Sequence, residues 1–178
     1  MPGPDYPWAQ YFPGATWRPR VTPSRIQSVV VHGRSLNSPE ALQHLLDTQP
    51  SAYHYVVAQT GAIIQLIPER GWTPALGPAR TAAYADPRSI AIALDGDPDR
   101  PIWPDDQILG LSRLLSVVFS VRGQLPVRDA HNVSRFPHRF TELLSFPWHD
   151  MSSRIVRLDT PLDRLHDAAA AGADPPGA

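Results

Sequence analysis

The segment from Ile26 to His32, with the sequence Ile-Gln-Ser-Val-Val-Val-His, constrains the fold more than any other part of the chain. Its β-branched residues predict a central strand that is covered on both faces, as in sheets flanked by helices. His32 ends the run, and Gly33 is expected to turn the chain. Ligands of α/β sheets bind where strands end, so His32 is a candidate site residue.

A second histidine stands in the same place on a second predicted strand. The segment from Leu125 to His131 also ends on an imidazole. A single histidine at a strand end most often bonds to the backbone, but two at equivalent strand ends favour a zinc site, because neutral imidazoles are good zinc donors. A catalytic zinc site needs a third protein ligand. His138 and Glu142 are both candidates, and their spacing does not choose between them.

Five further segments have clear hydrophobic patterns and complete an α/β fold. Gly61 lies between two β-rich runs and supplies the positive φ of a tight hairpin turn. We therefore predict a single domain with a central mixed β-sheet flanked by helices. The patterns predict strands at residues 53–58, 62–67 and 89–94 and helices at residues 37–47 and 104–121.

The two ends of the chain differ from this domain, which we assign to residues 26–166. Residues 1–25 are rich in proline and aromatic residues without any period, which predicts an extended arm whose aromatic side chains pack on the domain. A short helix is expected after Pro161. Residues 167–178 are alanine-rich and are predicted to form a disordered tail.

The composition excludes several functional classes. The chain has 178 residues and a net charge of −1, so neither nucleic acid nor an acidic membrane is an expected partner. It contains no cysteine, so any metal must be bound by His, Asp or Glu. The start of the chain has no basic and apolar signal, and no apolar run is long enough to span a membrane. We expect a soluble protein without its own export signal and without membrane insertion.

From about Tyr11 to Trp148, the order of these motifs resembles the zinc-dependent N-acetylmuramoyl-L-alanine amidases, the family shared by phage lysozymes, bacterial amidases and peptidoglycan-recognition proteins. The hairpin is the most specific of the similar segments. The shared order of the segments is stronger evidence for the resemblance than any one motif. The similar segments are an aromatic lead-in at 11–17, the first metal-ligand strand at 29–32, the hairpin at 51–69, a Trp-His-Ala-Gly-like loop at 72–77, a Ser-Ile-Gly-Ile-Glu-Leu-like strand at 89–94, and a Gly-His to Phe-Pro-Trp-like segment at 130–148.

The resemblance implies hydrolysis of the amide between the lactyl group of N-acetylmuramic acid and the L-alanine of the peptidoglycan stem peptide, with zinc as the cofactor. Zinc would polarise the carbonyl and activate a water molecule. His32 and His131 match the first two metal ligands of the family. Tyr53 matches a tyrosine that positions the water or stabilises the oxyanion in the phage and recognition-protein branches.

The chain departs from the family pattern at several site positions. Ala93 replaces a glutamate that many bacterial members use as a general base, and Thr73 with Pro74 replaces the loop histidine. The ligand aspartate aligns with Thr141, and a shift of one residue puts Glu142 in its place.

Chemistry favours Glu142 or His138 over Thr141, because a neutral hydroxyl is a poor zinc donor. Arg139 falls where the family has a lysine, so it is a candidate to stabilise an oxyanion.

Two other hypotheses about the function are compatible with the same fold. If the metal site is degenerate, the chain would be a non-catalytic peptidoglycan-binding domain. If the substrate-binding groove beside the metal site is also lost, the chain would be a scaffold for protein contacts. For the enzyme we expect a monomer that acts on peptidoglycan or a muropeptide. It would be cytoplasmic until its release and would act at the cell wall.

Overall fold

The computed structural model describes residues 4–12, 17–20, 26–34, 53–72, 86–96, 102–133, 143, 145–156, 158 and 162–175. A short 3-10 helix at Asp86–Arg88 leads into the seventh strand. The strands are β1 (Gln10–Tyr11), β2 (Arg18–Pro19), β3 (Ser28–Arg34), β4 (Tyr55–Val57), β5 (Ile63–Gln65), β6 (Gly71–Trp72), β7 (Ser89–Asp95) and β8 (Val127–Asp129). The helices are α1 (Asp105–Arg122), α2 (Ala130–Val133), α3 (Trp148–Ser153) and α4 (Leu162–Ala170).

Six strands form one mixed sheet in the order β1-β5-β4-β7-β3-β8. β3 is parallel to both of its neighbours, β7 and β8, while β4 and β5 form an antiparallel hairpin. The predicted fold class is therefore confirmed, and the segment that begins at Ile26 contributes an internal strand as expected. β2 and β6 pair separately in a small antiparallel sheet.

The hairpin turn lies against the first turn of α1. Gly61 has a φ of 78°, and a Cβ added there would lie 2.5 Å from the backbone oxygen of Asp106. A Cβ at Gly110 would approach the Gly61 oxygen equally closely, at 2.5 Å. Both glycines thus permit the hairpin and the helix to meet backbone to backbone.

Helix α1 covers one face of the sheet and forms most of the core. The predicted apolar stripe of this helix is buried at Ile108, Leu111, Leu114, Leu115 and Val118, and Phe119 packs at its border. These side chains contact the alternate residues of the strands that point towards the helix: Val29, Val31, Tyr55, Val57, Ile90, Ile92 and Leu94. No helix within the described ranges is long and apolar enough to cross a membrane.

A buried polar network ties the start of the chain to this core. Asp5 Oδ2 accepts hydrogen bonds from Gln65 Nε2 and from the Glu69 backbone N–H. Tyr6, two per cent exposed, joins the apolar cluster under α1. β1 then pairs in parallel with β5. The arm predicted for residues 1–25 thus contributes both a core aromatic and an edge strand.

Glu69 is the centre of this network. Its side chain accepts a hydrogen bond from the Tyr55 hydroxyl (2.9 Å) and forms an ion pair with Arg122 (3.0 Å), at the end of α1. Burial and the neighbouring Asp5 carboxylate raise the pKa of Glu69, while Arg122 opposes the shift. The network therefore closes one end of the core with a paired charge.

Several predicted boundaries were wrong. Gly33 does not turn the chain, because β3 continues to Arg34 and stays in register with β7 as far as Asp95. The strand predicted from Leu125 to His131 spans only Val127–Asp129. The sequence patterns also did not predict β6 or the helix that follows Pro147.

Other predictions fall partly or wholly outside the described residues. The helix predicted at 37–47 lies in an undescribed segment. At the end of the chain, α4 follows Pro161 as predicted and runs to Ala170. The Trp8 indole N–H donates to the Ala173 oxygen (2.7 Å), which joins the arm to the residues after α4. The division into arm, domain and tail stays a prediction.

Candidate functional site

The candidate site lies on the face of the sheet opposite to α1. Residues paired across neighbouring strands point to the same face. The register places His32 beside Ala93, and Ala93 beside Val56. The second apolar cluster lies on this face and comprises Tyr53, Val56, Leu66, Ile67, Ala91 and Ala93.

His32 and Tyr53 are in ring contact on this face. Their ring centroids lie 4.9 Å apart with an interplanar angle of 57°. Both side chains are one per cent exposed. Tyr53 lies two residues before β4, so an aromatic residue that precedes one strand meets an imidazole near the end of another. The strand pattern placed both residues at strand ends, and the family resemblance placed both at one site, but neither predicted that the two rings touch.

Two alanines of β7 allow this contact. β7 lies between β4 and β3 in the sheet, so the two rings meet across it. On the face that carries His32, β7 presents Ala91 and Ala93, both almost fully buried. Side chains of this size leave room above the strand that a larger residue would fill. Ala93 thus acts as a spacer, a role that sequence reasoning missed when it considered only the missing glutamate.

His131 lies one residue into α2, the one-turn helix that follows β8. Asp129, the last residue of β8, accepts a hydrogen bond from the Asn132 backbone N–H (2.7 Å), which starts this turn. Because β8 is parallel to β3 with Asp129 paired to Val31, His131 and His32 follow paired residues at the same edge of the sheet. His131 therefore belongs to a helix and not, as predicted, to the strand.

The remaining predicted site residues lie outside the described part of the chain. These are Glu142, His138, Arg139 and Thr141, together with the loop positions Thr73 and Pro74. Among the residues that are described, no three or more His, Cys, Asp or Glu side chains come together as a metal site. The two described candidates for metal binding are thus His32 and His131.

A buried histidine beside Tyr53 holds this region in place. His54 Nδ1 accepts a hydrogen bond from the Ala91 backbone N–H (3.0 Å), so the neutral ring carries its proton on Nε2. Nε2 lies 3.0 Å from the Gly71 oxygen and donates to it. Burial lowers the pKa of His54 to about 3, and the positive charge of Arg20 adds to the shift. His54 is therefore uncharged at neutral pH.

Arg20 is the cation that faces His54. Its guanidinium is buried and donates to the backbone oxygens of Glu69 (2.7 Å), Pro87 and Ser89 (2.6 Å). It thereby joins β2 to the segments that precede β6 and β7. Nothing in the local sequence marks Arg20 for this position, because all of its partners are distant in the chain.

The described residues also line a groove of about 1350 Å³. It lies between the end of α1, β8 and α3, and Phe119, Leu125 and Trp148 are part of its wall. Neither His32 nor Tyr53 lines it. The contact between His32 and Tyr53 therefore lies outside the groove, whereas Asp129 and Asn132, close to His131 in the chain, are part of its wall.

Comparison with known proteins gives one family match. The sequence profile of the family described as N-acetylmuramoyl-L-alanine amidase matches residues 22–145, which include β3, the hairpin, β7, α1 and β8. The matched region also contains the undescribed segment with His138 and Glu142. No curated protein matches the sequence.

Solved structures with the same fold come from several kinds of protein. A selenomethionine derivative of AmpD has a TM-score of 0.67 at 18% identity, covering 86% of this chain and 99% of that chain. A mutant endolysin from Bacillus subtilis has a TM-score of 0.60 at 12% identity, with coverages of 83% and 99%. The Drosophila peptidoglycan-recognition protein PGRP-SA has a TM-score of 0.52 at 18% identity, with coverages of 76% and 86%. At these identities the similarities establish the fold.

Proposed function

Because the chain belongs to the N-acetylmuramoyl-L-alanine amidase family, we propose that it hydrolyses the amide bond between N-acetylmuramic acid and the L-alanine of the peptidoglycan stem peptide. The observation that carries this proposal is the contact between His32 and Tyr53 on the face that also presents Ala93. An imidazole and a phenol in contact at a strand end can bind and orient a reacting group. The substrate would be the wall polymer or a soluble muropeptide.

The donor set of the described residues fits zinc in part. His32 and His131 are two imidazoles that follow paired strand positions, and imidazole nitrogen is a good zinc donor. We propose Glu142 as the third ligand, with His138 as the alternative, since both lie in the segment just after α2. Bound there, zinc would polarise the scissile carbonyl and lower the pKa of a water molecule.

The other residues would act on the substrate and the proton. The Tyr53 hydroxyl would donate a hydrogen bond to the oxyanion or hold the attacking water. Ala93 lies beside His32 and has no proton to transfer, so the chain relies on Tyr53 more than a family member with glutamate there would. Arg139 would add a positive charge near the oxyanion.

The activity is tested by product analysis on purified peptidoglycan. Incubation with the protein and zinc should release peptides that begin with a free L-alanine amine, leaving glycan strands uncut. Mass spectrometry of the soluble fraction distinguishes this product from the new reducing ends that a glycosidase would form. Absence of any released peptide would overturn the proposed activity.

The absence of a carboxylate at residue 93 favours a second candidate function, peptidoglycan binding without cleavage. In that case the protein would sediment with purified wall and release nothing. Binding without release would therefore select this alternative, and neither binding nor release would exclude both functions.

The metal proposal is tested by elemental analysis of untagged protein. About one zinc per chain is expected from a single three-ligand site. Glu142→Ala should lower the zinc content while His138→Ala leaves it unchanged. Full zinc occupancy in Glu142→Ala would show that Glu142 is not the third ligand.

A further inference from the structure

Two arginine side chains lie over tryptophan rings on the small sheet formed by β2 and β6. The Arg18 Cζ lies 5.5 Å from the centre of the Trp72 ring, and Arg70 Cζ lies 6.0 Å from the centre of the Trp17 ring. Both arginines are exposed and both tryptophans are half-buried. Arg18 and Trp72 are paired in register, so this pair is built into the sheet. We call these four residues the Arg–Trp patch.

The two guanidinium groups keep their hydrogen-bonding edges open. Within the described ranges, neither Arg18 nor Arg70 has a side-chain hydrogen bond or an ion pair. A cation–π contact with an aromatic ring leaves the N–H groups of a guanidinium available for other partners. Those N–H groups match the geometry of a carboxylate or a phosphate.

The sequence around the patch is depleted of negative charge. Residues 6–39 contain Arg18, Arg20, Arg25 and Arg34 but no Asp or Glu, and residues 70–85 contain Arg70 and Arg80 but no Asp or Glu. The net charge of the whole chain is −1, so positive charge is concentrated in these segments. A concentration of one sign of charge attracts ligands of the opposite sign.

The acid that directly precedes the patch does not neutralise it. Glu69 is five per cent exposed and is already paired with Arg122. Its negative charge is therefore balanced inside the polar network at the end of α1. Arg70, the next residue, remains exposed to solvent.

The patch borders the face of the sheet that carries the candidate site. Trp17 packs against the cluster that includes Tyr53, Ala91 and Ala93. A Cβ at Gly71 would lie 2.6 Å from the Trp17 ring, so this glycine lets the indole approach β6 closely. His54, the residue after Tyr53, donates to the Gly71 oxygen. The patch and Tyr53 are thus connected through direct contacts.

We propose that the Arg–Trp patch is an anion-binding surface that takes a carboxylate or phosphate group of the wall polymer beside the candidate site. This inference rests on the proposed function for the identity of the polymer. Cell wall carries both kinds of anion, as free carboxylates of stem peptides and as phosphates of attached polymers. Binding there would hold the polymer next to His32 and Tyr53, without any part in bond cleavage.

The first experiment measures sedimentation of the full chain with purified cell wall. The double variant Arg18→Gln, Arg70→Gln should weaken binding by about tenfold, since charge-assisted hydrogen bonds are lost. The matched control is Arg128→Gln, Arg164→Gln, which removes two exposed arginines outside the patch. The control should bind like the wild type. Equal binding of the patch variant and the wild type, or an equal loss in the control, would overturn the proposal.

The second experiment identifies the source of the anion. Wild-type binding is measured on walls stripped of phosphate polymers with hydrofluoric acid and on walls whose carboxylates have been amidated. Loss of binding on one of these walls supports the patch and names its ligand. Unchanged binding on both would overturn the proposal.

A lysine variant tests the role of the guanidinium group. Arg18→Lys, Arg70→Lys keeps the charge but loses the planar, bidentate group. We expect it to recover only part of the lost affinity, and full recovery would refute a specific role for the planar guanidinium.

These measurements are independent of cleavage. Arginine-dependent binding without released peptides would support the proposed anion-binding patch and overturn the proposed amidase activity. Released peptides together with unchanged binding in the patch variant would support the amidase activity and overturn the proposed patch.

Discussion

The two faces of the central sheet are built from different residues. The face under α1 presents Val31, Ile92 and Leu94 to a helix with a continuous aliphatic stripe. The opposite face presents His32 and Ala93 at the neighbouring positions of the same strands. Alternation along β3 and β7 thus separates a close-packed core from a face with small and polar side chains. The first face stabilises the fold, and the second leaves the space that a site requires.

The largest expected effect is a loss of activity when a residue of the face that carries the candidate site is replaced. His32→Ala should lower peptide release from purified wall by at least about a thousandfold, because it removes a ligand of the proposed zinc site. The control His149→Ala changes an exposed histidine of α3 and should keep wild-type activity. Mass spectrometry of the released peptides measures both variants. Activity in His32→Ala similar to that of the wild type would contradict the proposed site.

On the opposite face, Leu114→Ala should act on stability. Leu114 is fully buried, and truncation of such a side chain lowers the free energy of unfolding by about 2–5 kcal/mol. Urea denaturation measures the change. Below the unfolding transition, activity per folded molecule should stay at the wild-type level. Loss of activity without loss of stability would show that the two faces are not functionally separate.

Ala93→Leu tests the spacer role of β7. A larger side chain beside His32 would fill the space over which the His32 and Tyr53 rings meet, and overpacking costs about 1–3 kcal/mol. We expect activity to fall by about a hundredfold while zinc stays bound. Ala93→Gly keeps the space open and should retain most of the activity. Equal activity in the leucine and glycine variants would exclude a spacer role.

Tyr53→Phe removes a hydroxyl and keeps the ring that packs against His32. A hydrogen bond made only in the transition state should change kcat and leave KM unchanged. We expect kcat to fall by about tenfold to a hundredfold, with zinc content unaltered. A fall in stability or zinc content together with kcat would instead assign Tyr53 a structural role.

The smallest expected effect is a dependence of stability on pH. The pKa of His54 is about 3 in the folded protein and about 6.5 when unfolded, so between these values the unfolded chain binds the additional proton. Stability should therefore fall as the pH drops below about 6.5. At pH 5 the loss from this residue is about 2 kcal/mol relative to pH 7.

His54→Gln isolates this contribution, because Glu69 has the opposite influence. A raised pKa of Glu69 stabilises the folded state more at low pH than at high pH. Urea denaturation at pH 7 and pH 5 should give a larger loss of stability in the wild type than in His54→Gln. Equal losses would show that His54 is not responsible.

The sequence was most informative where local pattern and burial agree. The alternation around Gly61 and the stripe of α1 predicted the hairpin and the long helix, because both signals arise within a few residues. The same reasoning failed at Gly33 and His131. The backbone continues through Gly33 because β7 extends beside it, and Asp129 turns the chain into a helix before His131.

By itself, the sequence determined five of the six strands of the central sheet, the family and the candidate histidines, since these depend on periodicity and motif order. Only the tertiary structure decided that Tyr53 touches His32, that Ala91 and Ala93 make room for this contact, and that Arg20 reaches His54. Each of these contacts joins residues far apart in the chain. Local sequence patterns do not predict such contacts, because these contacts depend on the register between strands, which is set only when the whole sheet forms.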